Sequence, residues 1–317
     1  MSTPVFLIGA GFDADAGGEV HDAGNLQYPL LSDLSSFFLN FDPKLSSIEE
    51  RFSEAIQAHD LEPLEALCER LMDADFHVGG RLRDGEPAAN NAYLDFLKYF
   101  STASFLTFNY DSLLEILLFS LKRWCPNDLY GVSTNAVSSS RSQALTEILH
   151  LHGSFCIWPH EFEMTPSGQG TLPMLRRKVP PDFVFEPDVL SALFPGYECS
   201  VSKWNYRHPG DRIIAPIPNK AQGLSQSFIK STYKRAGEIL ATTENIIAIG
   251  YSFNPHDRAS YEPLLTATTR GTRFILITPD ACNIQARLRR EYSKYRWQAV
   301  PLTFREWANK RFPQAYI

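Results

Sequence analysis

Near the start of the chain, four apolar residues, Val5-Phe6-Leu7-Ile8, run straight into Gly9-Ala10-Gly11-Phe12-Asp13-Ala14. An apolar run that stops at paired glycines reads as a strand, a tight turn and a helix start, in the G-x-G-x-x-A spacing of a dinucleotide site. The first glycine permits the turn, and the second lets backbone approach a pyrophosphate. Free N–H groups at the following helix start then face the negative charge. The same pattern also ends ordinary strands, so the rest of the chain has to decide.

The rest repeats one grammar, a short apolar strand followed at once by a polar or glycine cluster. After a polar passage through Asn25, read as loop, apolar residues fall at helical spacing across residues 28–100: Leu30, Leu34 and Phe37, then Ile48 and Phe52, then Leu64, Leu67 and Leu71. Pro63 suits a first turn, whereas Gly79-Gly80 and Asp84–Pro87 read as breaks. Ala103–Phe108 reads as a strand ending at Thr107-Phe108-Asn109-Tyr110-Asp111, with a helix over Ser112–Lys122. Residues 126–142 read as loop and Ile148–Leu151 as a strand ending at His150-Leu151-His152-Gly153. Residues 158–208 lack clean periodicity and read as an irregular, loop-rich insertion. Arg212–Pro216 restarts strand structure, and Ser225–Ala241 is helical. Asn245–Ile249 is a strand ending at Gly250-Tyr251-Ser252-Phe253. Helix over Tyr261–Thr268, strand over Arg273–Ile277, helix over Ile284–Lys294 and strand over Gln298–Leu302 complete the chain.

Strands apolar on both faces and alternating with helices imply a Rossmann-like α/β fold, a parallel sheet with helices on both faces. The helical block 28–100 and the insertion 158–208 are added to it, and residues 1–317 are read as one domain. Such sheets bind ligands beyond the strands' carboxyl ends. Every polar cluster above follows a strand, and that shared placement outweighs any one motif.

A net charge of −6 argues against a nucleic-acid surface over the whole molecule, and Arg287-Leu288-Arg289-Arg290 reads as a solvated helix face. Val5–Ile8 is too short for a secretory h-region, and the greasiest run, Leu113–Leu121, stops at Lys122-Arg123. Five scattered cysteines without a C-x-x-C pair suggest reduced thiols and no cysteine-held zinc. The expectation is a soluble cytoplasmic chain that binds no membrane.

Asn109 can orient a sugar hydroxyl or a water without adding charge. Asp111 can fix a ribose hydroxyl, or cap the following helix with support from Glu115. His150 and His152, two apart on a strand, point the same way and form a metal pair without an evident third ligand. Alternatively His150 faces the core or a neighbouring strand, while His152 reaches the crevice as a proton acceptor. Gly250 repeats the strand–glycine logic. Ser252 is placed to bond phosphate or ribose, Phe253 to lie near an adenine, and Asp257 and Asp280 are further ribose candidates.

Gly9-Ala10-Gly11, Thr107-Phe108-Asn109-Tyr110-Asp111, Leu151-His152-Gly153 and Gly250-Tyr251-Ser252-Phe253 together resemble, in order and spacing, the sirtuin-like superfamily. The likeness is closest to its bacterial NAD-hydrolysing branch of anti-phage defence. Ile213-Ile214-Ala215-Pro216 with Asn219-Lys220 also resembles that family's segment before the last helix pair. The resemblance implies NAD+ as substrate and cleavage of its nicotinamide–ribose bond. Asn109 would orient the ribose or attacking water, and His152 would act as base. Gly9, Ala10, Gly11, Phe12 and Ser252 would hold the phosphates and adenosine end, joined by Asp111, Gly250, Phe253, Asp257 and Asp280 in binding. It further implies a homo-oligomer, or a separately encoded partner such as an ATPase or a nucleic-acid-guided protein, with no direct nucleic-acid binding. Protein deacylation, ADP-ribosyl transfer and a non-catalytic NAD- or ADP-ribose-binding subunit are the alternatives. The chain departs from deacylases in lacking two zinc-binding cysteine pairs. It also carries Asp13 where they carry serine, and a carboxylate there either turns to a ribose hydroxyl or repels a pyrophosphate.

Overall fold

The computed structural model describes residues 4–16, 28–38, 42, 46–85, 89, 91–124, 146–155, 157–164, 175–185, 193–194, 213–218 and 220–310. In chain order the elements are β1 (Val5–Ile8), α1 (Ala10–Ala16), a 3-10 helix (Leu31–Phe37), α2 (Ile48–Gln57), α3 (Glu62–Arg83) and α4 (Asn91–Tyr99). Then follow β2 (Ser104–Thr107), α5 (Leu113–Ser120), β3 (Glu147–His150), β4 (Ile157–Met164), β5 (Leu175–Phe185), α6 (Ala221–Leu224) and α7 (Ser227–Leu240). The last are β6 (Asn245–Ile249), a 3-10 turn (Pro255–Asp257), α8 (Arg258–Ala267), β7 (Arg273–Ile277), α9 (Ala281–Glu291), β8 (Arg296–Val300) and α10 (Phe304–Asn309).

Six strands form one sheet in the order β3-β2-β1-β6-β7-β8, and every pair is parallel. Valine, isoleucine, leucine and phenylalanine fill β1, β6 and β7, and these strands are buried nearly end to end, as a sheet covered on both faces requires. Edge strand β8 keeps only Trp297 and Val300 buried. Numbered by appearance in the sheet, the order is 3-2-1-4-5-6, the doubly wound order whose direction reverses between its first and fourth strands, here β1 and β6. The register aligns the strand ends: Ile8 opposes Thr107 and Ile249, Thr107 opposes His150, Ile249 opposes Ile277, and Ile277 opposes Val300. The segments that follow therefore leave from one rim.

The helical block lies between β1 and β2, longer than one crossover needs. Ser47 and Glu50 close a capping box on α2 at 2.7 and 3.1 Å. The expected break at Gly79-Gly80 is absent, because α3 runs through both glycines to Arg83. Two helical glycines cost about 1 kcal/mol each relative to alanine; Leu64, Leu67, Leu71, Ala74 and Val78 offset this by burying one side of α3. On one face of β1, Phe96 of α4 meets Phe6, Phe304 and Trp307 with ring centroids 5.0 to 6.0 Å apart. Tyr93 donates to the Phe12 carbonyl, tying α4 to α1.

Two further expectations are corrected. Within 158–208, β4 and β5 are regular, antiparallel strands, and the rest of that insertion, Leu193 and Phe194 apart, lies outside the described residues. Arg212–Pro216 contains no strand among its described residues; Ile213 makes a single bridge to Gly153, because Ile214 N–H bonds the His152 carbonyl at 2.8 Å and the chain turns away. The expected loops at 17–27 and 126–142 lie outside the described residues. Among the described residues no helix is long and apolar enough to cross a membrane.

Candidate active site

The glycine turn is locked to the end of β6. Gly9 N–H bonds the Ile249 carbonyl at 3.0 Å, and Gly11 N–H bonds the Gly250 carbonyl at 3.1 Å. A Cβ on Gly9 would lie 2.7 Å from the Gly250 oxygen, and one on Gly11 would lie 2.9 Å from the Gly250 Cα. Gly250 has φ +62°, and a Cβ there would fall 2.3 Å from the Phe12 nitrogen. All three glycines are thus required by backbone meeting backbone at the switch point, before any ligand is considered. Phe12 is fully buried between Tyr93 and Phe304.

Beside that turn lies a buried acidic cluster. Asn109 donates its side-chain amide to Asp13 Oδ2. Its backbone N–H meets Thr107 Oγ1 at 3.0 Å, and its carbonyl lies 3.0 Å from His150 Nδ1. Asp111 Oδ1 accepts the Leu113 N–H at 3.2 Å, while Asp75 accepts from Tyr28 Oη at 2.7 Å and from Ser112 N–H at 2.8 Å. The N-cap of α5 is Ser112, so Asp111 is not the cap itself; it holds the first helical N–H from one position earlier, and Glu115 does not assist it. Glu115 Oε1 is 2.5 Å from His150 Nε2 instead.

So many carboxyls in low dielectric cannot all ionise. Burial, then the charge of Asp111, raises the Asp13 carboxyl well above the usual range. Asp75 rises for the same two reasons, partly opposed by the Tyr28 and Ser112 hydrogen bonds. Burial lifts Asp111 to about 6, with the Leu113 N–H pulling it back. For His150 burial lowers the pKa, but the Glu115 charge and hydrogen bond outweigh it and the net shift is upward. The cluster holds protons at neutral pH and presents donors and acceptors side by side.

These groups face a cavity of about 100 Å³ lined by Ala10, Asp13, Tyr28, Asn109, Tyr110 and Asp111, with apolar walls that include Phe108, Leu67 and Pro216. Ordinary small-molecule sites enclose about 300 Å³ or more. The cavity as it stands admits one ring-sized end of a dinucleotide, not the whole.

His150 and His152 diverge, because β3 ends at His150 and the period-2 rule stops there. His150 joins the acidic cluster. His152, 3 % exposed, sits edge-on to Phe108 at 4.9 Å, beside Tyr110, with Nε2 3.0 Å from Ser260 Oγ. They are not a metal pair, and no group of three metal-ligating side chains occurs among the described residues. Burial, then the charge of Lys220, lowers the His152 pKa well below its ordinary value, so the ring is neutral. His152 is not among the cavity's lining residues; it packs against Phe108 and Tyr110, which are.

The β6 end is divided. Ser252 is exposed, and its carbonyl accepts from Arg287 at 3.2 Å. Phe253, at φ +49°, is fully buried against Tyr251, Tyr261 and Trp297, so its ring offers no face to an adenine. Asp257 pairs with Lys220, a buried lysine whose pKa burial lowers to about 8. Asp280 is exposed and bonds Asn283 Nδ2 at 2.5 Å, away from the cavity. Reading by motif missed Tyr28, Asp75 and Ser260, and gave Lys220 no role beyond its place in the Asn219-Lys220 resemblance. They come from segments whose local pattern reports only helix or loop.

No protein-family profile and no curated protein matches this chain. Among solved structures it is similar to a Sir2 homologue triple mutant in complex with 2′-O-acetyl ADP ribose, at 16% identity over 98% of this chain and 92% of that one, TM-score 0.48. It is also similar to two single mutants of a Sir2 homologue in complex with ADP ribose, each at 15% identity over 96% of this chain and 88% of the other, with TM-scores of 0.37 and 0.38. The fold itself is α/β and Rossmann-like, a parallel sheet flanked by helices, with a mostly apolar cavity that Asp13, Asn109 and Asp111 border on its carboxyl rim.

Proposed function

We propose that the chain is a sirtuin-like NAD+ hydrolase that releases nicotinamide and ADP-ribose. One observation carries the reading: Ala10 of the glycine turn and Asn109 and Asp111 of the second motif, far apart in sequence, line one cavity beside the switch point. The reaction suits that cavity. The C1′–N bond breaks, its electron pair leaves with neutral nicotinamide, and the ribose becomes oxocarbenium-like. A rim of carboxyls and an amide, with no lysine or arginine among the described lining residues, stabilises such a cation more than the ground state. Water then bonds to C1′ and gives its proton to His152, with Asn109 orienting the ribose or that water. Gly9–Phe12 and Ser252 take the phosphate and adenosine end. The same reading makes the chain the NAD-depleting effector of an anti-phage system in the cytoplasm, as a homo-oligomer or with a separately encoded partner.

A second reading, a non-catalytic NAD- or ADP-ribose-binding subunit, is favoured by the small cavity and by the contact that engages the Asn109 amide with Asp13. Turnover decides between them. Purified protein, with and without the neighbouring gene's product, is expected to release nicotinamide and ADP-ribose from NAD+, and Asn109→Ala and His152→Ala abolish it. Tight ADP-ribose binding without turnover moves the assignment to the second reading, and release that depends on an acetylated peptide moves it to deacylation.

A further inference from the structure

His152 is anchored by a residue from a distant helix. Ser260 is fully buried on α8, 108 residues away in sequence, with its hydroxyl 3.0 Å from His152 Nε2. Phe108 and Tyr110 fix the plane of the imidazole from β2's continuation. The hydroxyl of Tyr233, on α7, lies beside Ser260 and is enclosed by protein. Nε2 of His152 makes the one hydrogen bond given for the ring among the described residues. Lys220, paired with Asp257, adds a positive charge near the ring and opposes its protonation.

We infer that Ser260 is the positioning residue of His152: its oxygen accepts the Nε2 proton, so the ring is held with Nδ1 unprotonated. A neutral imidazole has one N–H and one lone pair, and the hydrogen bond made at one nitrogen decides which form the other takes. Nε2–H is also the form a neutral histidine side chain prefers in water. With Nε2 given to Ser260, Nδ1 is the nitrogen left to accept a proton. The inference takes the base role of His152 from the proposed NAD+ cleavage, but the tautomer can be measured without it.

The test uses the full chain with 15N-labelled histidine. In wild type, the His152 signals are expected to show Nε2 protonated and Nδ1 bare. Ser260→Ala, close in volume, is expected to give a mixture of tautomers and to lower kcat about tenfold with KM unchanged, the size of one lost orienting hydrogen bond. A wild-type ring protonated at Nδ1 overturns the inference, as does Ser260→Ala with tautomer and kcat both unchanged. If the tautomers behave as stated while no form of the protein cleaves NAD+, the Ser260 assignment stands and the proposed function fails.

Discussion

Asn109 and Asp13, 96 residues apart, are joined by a hydrogen bond from the Asn109 amide to the Asp13 carboxyl, across the ends of β2 and β1. That contact answers the question Asp13 posed in the sequence. The carboxyl does not face a phosphate as a free charge; burial and Asp111 keep it protonated, and it holds the Asn109 side chain in place.

Asp13→Asn copies the protonated acid, since its oxygen can accept from Asn109 and its amide can donate to Asp111. In the unfolded chain an aspartate ionises near pH 3.9. The folded state keeps the proton to much higher pH, so wild-type folding takes up a proton and stability falls as pH rises above about 4. The variant lacks this penalty. Its stability relative to wild type is expected to grow from pH 4 to pH 8 in urea melts; a constant difference across that range counts against a buried neutral Asp13.

Asp111, with its pKa raised to about 6, titrates within the working range. Under the proposed chemistry the ionised form stabilises the cationic ribose, so NAD+ turnover is expected to rise as pH passes 6. Asp111→Asn keeps an acceptor for the Leu113 N–H but loses the charge. It should lower kcat roughly 100-fold and flatten that limb of the pH profile, in line with the loss of one preorganised electrostatic group. A pH profile identical to wild type would separate Asp111 from the chemistry.

Much of the scaffold is legible in the sequence because parallel strands buried on both faces leave continuous apolar runs. Val5–Ile8, Asn245–Ile249 and Arg273–Ile277 fall where such runs place them. Gly79-Gly80 misleads because helix propensity is a small local cost, and packing along α3 overrides it. Phe253 misleads for a different reason: its left-handed backbone turns the ring inward, and no spacing rule announces φ +49°. The partners of the site are the least legible. Asp75 meets Ser112, and His152 meets Ser260, only through long-range folding, so nothing near either residue marks it.

Gly250→Ala tests whether the switch point is held by backbone contact. A methyl group there would fall 2.3 Å from the Phe12 nitrogen and 2.4 Å from the Gly11 carbonyl carbon, at φ +62°. Overpacking costs about 1–3 kcal/mol, and the left-handed conformation costs an L-residue about 1–2 kcal/mol more. Denaturant titration should show a loss of that combined size, and ADP-ribose affinity should fall with it because Gly9–Phe12 must shift. Unchanged stability would mean the β1 and β6 ends are not in contact in solution.

The His150–Glu115 contact at 2.5 Å gives the opposite kind of variant, one that breaks a buried pair. Burial lowers the His150 pKa, and the Glu115 charge more than reverses this, so the folded value exceeds the unfolded one. The stabilisation is fully present below about pH 6.5, the unfolded value, and is lost as pH climbs through the raised folded value. Glu115→Gln removes the charge and keeps the shape. At pH 5.5 it leaves a buried imidazolium without its counter-charge, a class of change that costs about 3–5 kcal/mol. At pH 9 the ring is more nearly neutral and can accept from the Gln amide, so the penalty should shrink. Urea melts of both forms at the two pH values measure it, and a penalty that grows with pH would reverse the assigned sign of the pair.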